Sequence, residues 1–203
     1  MDTLLGLTIG IGLSAACGFR LIVPFVVMSI SALSGHLTLA PDMAWIGTYP
    51  ALIAFGIATV LEILIYFIPW VDDVMAALSI PVSIVAGTII TAAFVPDMSP
   101  FLRWTLAAIA GGTVAGTTET LTTGLRFAST ATTAGLGNGL LSVGELLSST
   151  LLSLLALLVP VISLLLVLFF LTWSIQKGVG VLGMLKRRRR PSSSFDPPPP
   201  DVV

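Results

Sequence analysis

The chain has 203 residues, enough for one domain, and is 56% apolar and 9% charged. Soluble domains carry about 25% charged residues, and apolar runs longer than the ~18 residues of a membrane-span candidate recur here, so composition excludes an ordinary soluble protein. The formal net charge of -1 hides an asymmetry: Lys177, Lys186, Arg187, Arg188, Arg189 and Arg190 hold most of the positive charge, and only Arg20, Arg103 and Arg126 precede them. Cytoplasmic loops collect Lys and Arg, which predicts a cytosolic C-terminus.

The first apolar run, residues 4–34, would make a helix of ~46 Å against a hydrocarbon core of ~30 Å. It carries LSAACGFRLIVPF, in which Gly18 and Pro24 are breakers. Two pieces are predicted, about 4–17 and 21–34, as a tight hairpin or a discontinuous span, with Arg20 turned inward at the break. SAAC followed by glycine resembles a lipoprotein cleavage site. The N-terminus lacks the positive side chain of a secretory signal, however, and the chain stays apolar after Cys17, which leaves Cys17 as a small buried residue.

A span follows at about 46–68. Asp72 and Asp73 are expected in a short polar turn, capping the next helix. Another span is predicted at about 75–95, a turn at PDMSP, and a span at about 102–124. Residues 125–142, GLRFASTATTAGLGNGLL, are small, hydroxylated and glycine-rich. They read as a loop or as irregular backbone packed inside the protein, where alone it is tolerated at membrane depth. The last apolar run, 143–175, exceeds one untilted span and contains Pro160, where it is expected to kink or divide.

These elements define an all-α, polytopic membrane bundle of about five to seven segments over residues 1–175. A basic juxtamembrane segment (176–190) follows. The cluster Lys186, Arg187, Arg188, Arg189 and Arg190 is suited to anionic lipid headgroups. Residues 191–203, proline-rich, are expected to be extended and disordered. CGFRL at 17–21 and TGLRF at 123–127 offer a weak sign of internal duplication, a pattern found in transporters.

Charges within a membrane cost ~2.5–3.5 kcal/mol at a helix centre on insertion scales and mark functional sites by default. Arg20, Glu62, Glu119 and Arg126 are such charges. Glu119, Thr122, Thr123 and Arg126 are spaced i, i+3, i+4, i+7 and share a helix face inside a threonine-rich stretch. The face suits an ion or small polar solute. It equally suits helix packing through hydroxyls. Glu62 is mid-span, with Tyr66, Pro69 and Asp73 on roughly the same face, and is a candidate partner for Arg20 or Arg126. Asn138 and Glu145 complete the candidate set, with Glu145 expected near the interface.

Enzyme chemistry finds no support. GLSA resembles the serine motif of rhomboid proteases, but the one histidine, His36, follows it too soon. There is no HExxH, P-loop or aspartyl-protease pattern, and neither cofactor, metal site nor nucleic-acid partner is implied. Glycine-rich faces suit a homo-oligomer.

GLSAACGFRLIVPFVVMSI, LEILIYFIPWVDDVMAAL and the segment from AGTTET to about residue 172 resemble a bacterial membrane-protein family known only as a domain of unknown function. The resemblance covers about residues 4–172. Its most specific parts are the IPWVDD turn after Glu62 and a second half with Arg126, a Ser/Thr-rich stretch, Asn138 and Ser142-x-x-Glu145. It implies a small all-helical membrane domain, here multi-pass in the bacterial inner membrane, and no substrate. Two functions remain open: a channel or transporter using the Arg/Glu/Thr cluster, or a non-catalytic scaffold or assembly factor whose buried charges are structural.

Overall fold

A computed structural model describes residues 3–65, 69–133 and 136–188, with side chains for all of these except 65, 69–77, 175 and 177–188. Among the described residues every regular element is helical. The helices are α1 (Thr3–Cys17), α2 (Val23–Leu33), α3 (Tyr49–Ile65), α4 (Pro69–Ala93), α5 (Pro100–Ala107), α6 (Thr113–Thr133), α7 (Asn138–Leu158) and α8 (Pro160–Arg188). A 3-10 helix, Pro41–Gly47, precedes α3, and a π turn, Ala108–Gly112, joins α5 to α6.

α1 is the centre of the bundle. Gly6, Gly10, Ser14 and Gly18 recur every four residues, so they line one face of it. That face runs antiparallel along α4: Gly6 lies against Phe94, Gly10 against Thr91, and Ser14 Oγ donates to Gly87 O at 2.8 Å. Gly18 ends the face against Ala115 and Thr118 of α6. Small residues let the helix backbones approach, which is how helices associate when no hydrophobic driving force is available. The opposite side of α1 meets α7 and α8, where Gly12 faces Ala156 and Ser163.

The chain breaks where the breakers stand. α1 stops at Gly18 and α2 begins with Pro24 in its first turn, where its missing N–H costs nothing. The segment after α2 returns to the level at which α1 began: Ala40 N donates to Ala93 O at 2.9 Å, beside the Phe94 that Gly6 touches. Residues 4–34 are therefore a hairpin of two short helices, with its tip at 18–22 and Arg20 buried, 2% exposed.

α7 and α8 form a second hairpin. Both Ala156 and Ser163 lie at Gly12, while Ser149 bonds Ala16 O and Phe170 packs on Phe19 at 5.4 Å. The run 143–175 thus divides, at Val159 before Pro160. Ile9, Leu13, Met28, Ile46, Ile90 and Phe94 form the core between α1, α2, the 3-10 helix and α4.

Four expectations are corrected. The span at 46–68 is bent by 62° between the 3-10 helix and α3, because Thr48 between them is extended (φ -116°, ψ 152°). Asp72 and Asp73 are the fourth and fifth residues of α4, not in a turn before it. The span at 102–124 does not end there, and most of 125–142 is not irregular: helix continues from Pro100 to Thr133 and resumes at Asn138. The hydroxyls explain this. Thr118, Thr120, Thr132 and Thr133 donate to the carbonyls four residues back, so they are satisfied within the helix. Arg103, outside the candidate set, is buried, with Nε on Ala92 O at 2.8 Å and Nη1 on Asp42 Oδ1 at 3.0 Å. It closes the end of the bundle opposite the tip.

The outer surface carries large aliphatic side chains, among them Ile53, Ile57 and Val60 of α3, Leu147, Leu151 and Leu158 of α7, and Leu165 and Phe169 of α8. Among the described residues one helix, Asn138–Leu158, is long and apolar enough to cross a membrane, and the bent pair Pro41–Gly47 and Tyr49–Leu64 adds a second if it counts as one span. The Pro-rich segment 191–203 lies outside the described residues.

The tip packs tightly on α6. A Cβ on Gly18 would stand 2.5 Å from Ala115 O and Thr118 Cβ, and 2.9 Å from Glu119 N. Two of these are backbone atoms of a helix and cannot yield. Gly18→Val is therefore expected to destabilise the protein by about 1–3 kcal/mol through overpacking, read as a lower melting temperature in detergent. An unchanged melting temperature would mean the tip is not held against α6.

Candidate functional site

The break at 18–22 leaves backbone donors and acceptors in the middle of the bundle, and buried backbone groups require partners. α1 ends with orphan carbonyls and α2 starts with orphan amides. Side chains from three other helices satisfy them. Thr122 Oγ1 of α6 donates to Gly18 O at 3.2 Å, and Ser149 Oγ of α7 to Ala16 O at 2.9 Å. The Glu62 carboxylate of α3 takes the other end, with Oε1 accepting from Leu21 N at 3.0 Å and Oε2 from Ile22 N at 3.3 Å. Ile22 is the N-cap of α2 and α2 has no side-chain cap of its own. Glu62 supplies one from another helix, with its negative charge at the positive end of the α2 dipole.

The charged residues gather around this tip. Arg126 Nε donates to Glu145 Oε1 at 2.9 Å, and Arg126 Nη2 reaches Glu145 Oε2. This two-pronged geometry gives the strongest kind of protein ion pair. Arg20 Nε lies 4.0 Å from Glu145 Oε2, and Arg20 Nη2 donates to Ser142 O at 3.1 Å and Ser142 Oγ at 2.8 Å. One carboxylate therefore faces both guanidinium groups. Glu119 accepts from Thr123 Oγ1 at 3.3 Å and bonds Ser79 of α4. Arg20 and Arg126 both stand close enough to Glu62 for Coulombic attraction.

Arg20, Glu62, Glu119, Thr122, Thr123, Arg126 and Glu145 are thus brought together by α3, α6, α7 and the hairpin tip. Glu145 corrects its expected interfacial placement. It is 7% exposed and the hub of the ion pairs, because α7 starts seven residues earlier, at Asn138, and carries Glu145 two turns into the bundle. Asn138 stays outside the cluster, at the foot of α7, with Nδ2 on Thr130 Oγ1 at 2.9 Å. The side chains of Tyr66, Pro69, Asp73, Lys186, Arg187, Arg188, Arg189 and Arg190 lie outside the described residues.

Two residues of the site were not singled out as candidates. Ser142, three residues before Glu145, binds Arg20. Ser149, four residues after it, binds the tip. Ser149, Ser153 and Ala156 form a small, buried stripe on α7, with Ser142 half-buried at its start, a spacing legible in the sequence. The two Gly-x-Arg segments differ locally, since Arg20 sits in a loop and Arg126 within continuous helix.

Between α6 and α7 a cleft of ≈ 600 Å³ opens toward the cluster. Leu125, Ala128, Ser129, Thr132 and Leu140 line its outer part. Its buried inner end is Thr122 and Glu145, beside Phe19. The cleft is in the size range of small-molecule pockets.

No curated protein and no solved structure matches the chain. A family does: residues 7–177 match the domain of unknown function DUF4126. All but the first turn of the hairpin, the cluster at its tip and the hydroxyl-rich α6 fall within that match, and the chain belongs to the DUF4126 family.

Proposed function

We propose that this chain is a multi-pass protein of the bacterial inner membrane that passes an ion or a small polar solute along the Arg20, Glu62, Glu119 and Arg126 cluster. Among the described side chains the surface is largely aliphatic, while Arg20, Arg103 and Glu145 are buried, the reverse of a soluble domain. α1 and α2, of 15 and 11 residues, measure about 22 and 16 Å at 1.5 Å per residue. Neither alone crosses a ~30 Å hydrocarbon core. Together they read as a re-entrant hairpin whose tip ends at membrane depth, and irregular backbone there is stable only inside protein or against water. The partners Glu62, Thr122 and Ser149 meet that requirement.

The observation that carries the transport reading is the cleft. A purely structural ion pair needs no access, yet this one has a cleft of ≈ 600 Å³ beside it with Glu145 in its lining. Thr122, Ser129, Thr132 and Ser148 are among the residues of a lining that is otherwise mostly apolar. Discontinuous helices that end near mid-membrane are the usual form of transporter sites. The C-terminal basic cluster, on the cytosolic side, fits anionic lipid headgroups.

Two experiments test this. With Cys17 as the single native cysteine, a Cys17→Ala background accepts reporter thiols. Ser129→Cys in the cleft is expected to react with a charged, water-soluble thiol reagent in membranes. Phe169→Cys, 69% exposed on α8, is expected to be shielded by lipid. Equal protection of both would remove the water-accessible cleft. In proteoliposomes, wild type is expected to carry flux for at least one of a panel of cations, anions and protons, with Glu62→Gln and Arg126→Gln abolishing it while remaining folded. Absent flux, with both variants losing thermal stability, would favour a scaffold whose cluster is structural.

A further inference from the structure

The glycines of this chain fall into two groups. Gly6, Gly10 and Gly12 of α1, and Gly18 just after it, meet a neighbouring helix where a side chain would begin, and close packing explains them. Gly144 is different. It is the seventh residue of α7, inside the helix, where glycine is less favourable than alanine. A Cβ there would meet nothing within 4 Å. Gly144 lines the cleft between α6 and α7, so the room it leaves is open to something outside the chain.

The cleft is graded in polarity. Leu125 and Leu140 in its outer part are exposed, on the same two helices as the exposed Phe127, Val143 and Leu147. In a membrane that aliphatic mouth faces lipid. Thr122 and Glu145 at the inner end are buried. The polar residues of the lining are Thr122, Ser129, Thr132, Ser148 and Glu145, and none of them carries a side-chain N–H. Thr122 already donates to Gly18 O and Thr132 to Ala128 O, so these hydroxyls keep lone pairs rather than protons for a ligand. Arg126 bonds both oxygens of Glu145. An ammonium head would compete with that guanidinium, and a carboxylate or phosphate head would be repelled by Glu145. A hydroxyl head avoids both and brings a donor to a lining of acceptors.

We infer that the cleft binds one uncharged, single-chain amphiphile drawn from the bilayer, with its chain between α6 and α7 and its hydroxyl head toward Thr122 and Glu145. The volume of ≈ 600 Å³ is that of a small-molecule site. The inference goes beyond the transport reading, since it needs the cleft and no flux through it. A bound amphiphile would close the water access that transport requires, and so regulate it.

The test uses the full chain in nanodiscs of phosphatidylethanolamine and phosphatidylglycerol. Hexadecanol with a photoreactive diazirine in mid-chain is the probe, and the labelled residues are read by peptide mass spectrometry. The expected result is saturable labelling of the two walls, Thr122 to Thr132 on α6 and Gly137 to Ser148 on α7. Excess hexadecanol is expected to remove it, and hexadecanoate or hexadecylamine to leave it. Gly144→Phe fills the cleft from a position that has room. It is expected to fold, with its melting temperature unchanged or higher, and to lose the labelling. If it does not fold, Ala128→Leu on the opposite wall takes its place. Labelling spread over the outer surface without saturation overturns the site, as does labelling that persists in the folded variant. Equal displacement by the acid or the amine overturns the uncharged head. Disulfides between copies at Leu140→Cys, in the Cys17→Ala background and with the walls unlabelled, would put a second chain in the cleft instead. Flux without saturable labelling would sink this inference and leave transport standing. Saturable labelling without flux would do the opposite.

Discussion

Glu145→Gln is expected to be the most destabilising conservative substitution in the chain, at about 3–5 kcal/mol, the cost of breaking a buried ion pair from one side. The size follows from the hub geometry. Arg126 loses its two-pronged partner and Arg20 a carboxylate 4.0 Å away in one change, and both guanidinium groups stay charged in a protein. The variant Arg126→Gln alone is expected to cost less, because Glu145 keeps Arg20 as a neighbour and can take up a proton. Combining the two leaves a neutral amide pair and should recover part of the loss, with a coupling energy of about 1–3 kcal/mol. Unfolding in mixed micelles, followed by tryptophan fluorescence, measures each corner of this cycle. Strict additivity would mean that the pair contributes nothing specific.

Glu62→Ala is expected to open the hairpin tip. It removes the acceptors for Leu21 N and Ile22 N and leaves both amides buried without them, at about 1–3 kcal/mol for each unsatisfied donor. It also removes the negative charge at the start of α2, worth about 0.3–1 kcal/mol for an exposed helix end and up to ~2 when partly buried. Glu62→Gln should be milder, since its side-chain oxygen still accepts one amide while its NH₂ faces the other. Hydrogen exchange reports this locally. Leu21 and Ile22 amides are expected to exchange much faster in Glu62→Ala, with those in the middle of α4 unchanged. Equal acceleration in α4 would show a global loss of stability instead, and no change at the tip would mean that Glu62 does not cap it.

The local events were legible in the sequence wherever a single residue dictates backbone geometry. Gly18 with Pro24, and Pro160, mark both hairpin breaks, because glycine and proline act without help from the rest of the chain. The shared face of Glu119, Thr122, Thr123 and Arg126 was legible for the same reason: four side chains at helical spacing cannot avoid one another. The stripe Gly6, Gly10, Ser14 and Gly18 was equally available, and it marks the face on which α4 and α6 pack. The misreading of 125–142 has a definite cause. Threonine, serine and glycine lower helix propensity by tenths of a kcal/mol up to about 1 kcal/mol per residue, and such weak preferences do not stop a helix whose hydroxyls are satisfied by its own carbonyls.

Composition, breakers and periodicity by themselves determined an all-helical chain, its two hairpin breaks, an inward Arg20 and a polar face on α6. Those are short-range or summed properties, set by a residue and its neighbours within a turn or two. Only the tertiary structure decided which carboxylate meets which guanidinium. Glu62, expected to pair with an arginine, caps α2, while Glu145, expected at the edge, holds Arg126 and faces Arg20. The physical reason is that a long-range partner depends on how far each helix is carried into the bundle. That depth is set by where the chain turns and by which glycines allow close approach, and Coulomb energy then favours whichever opposite charges arrive at the same level.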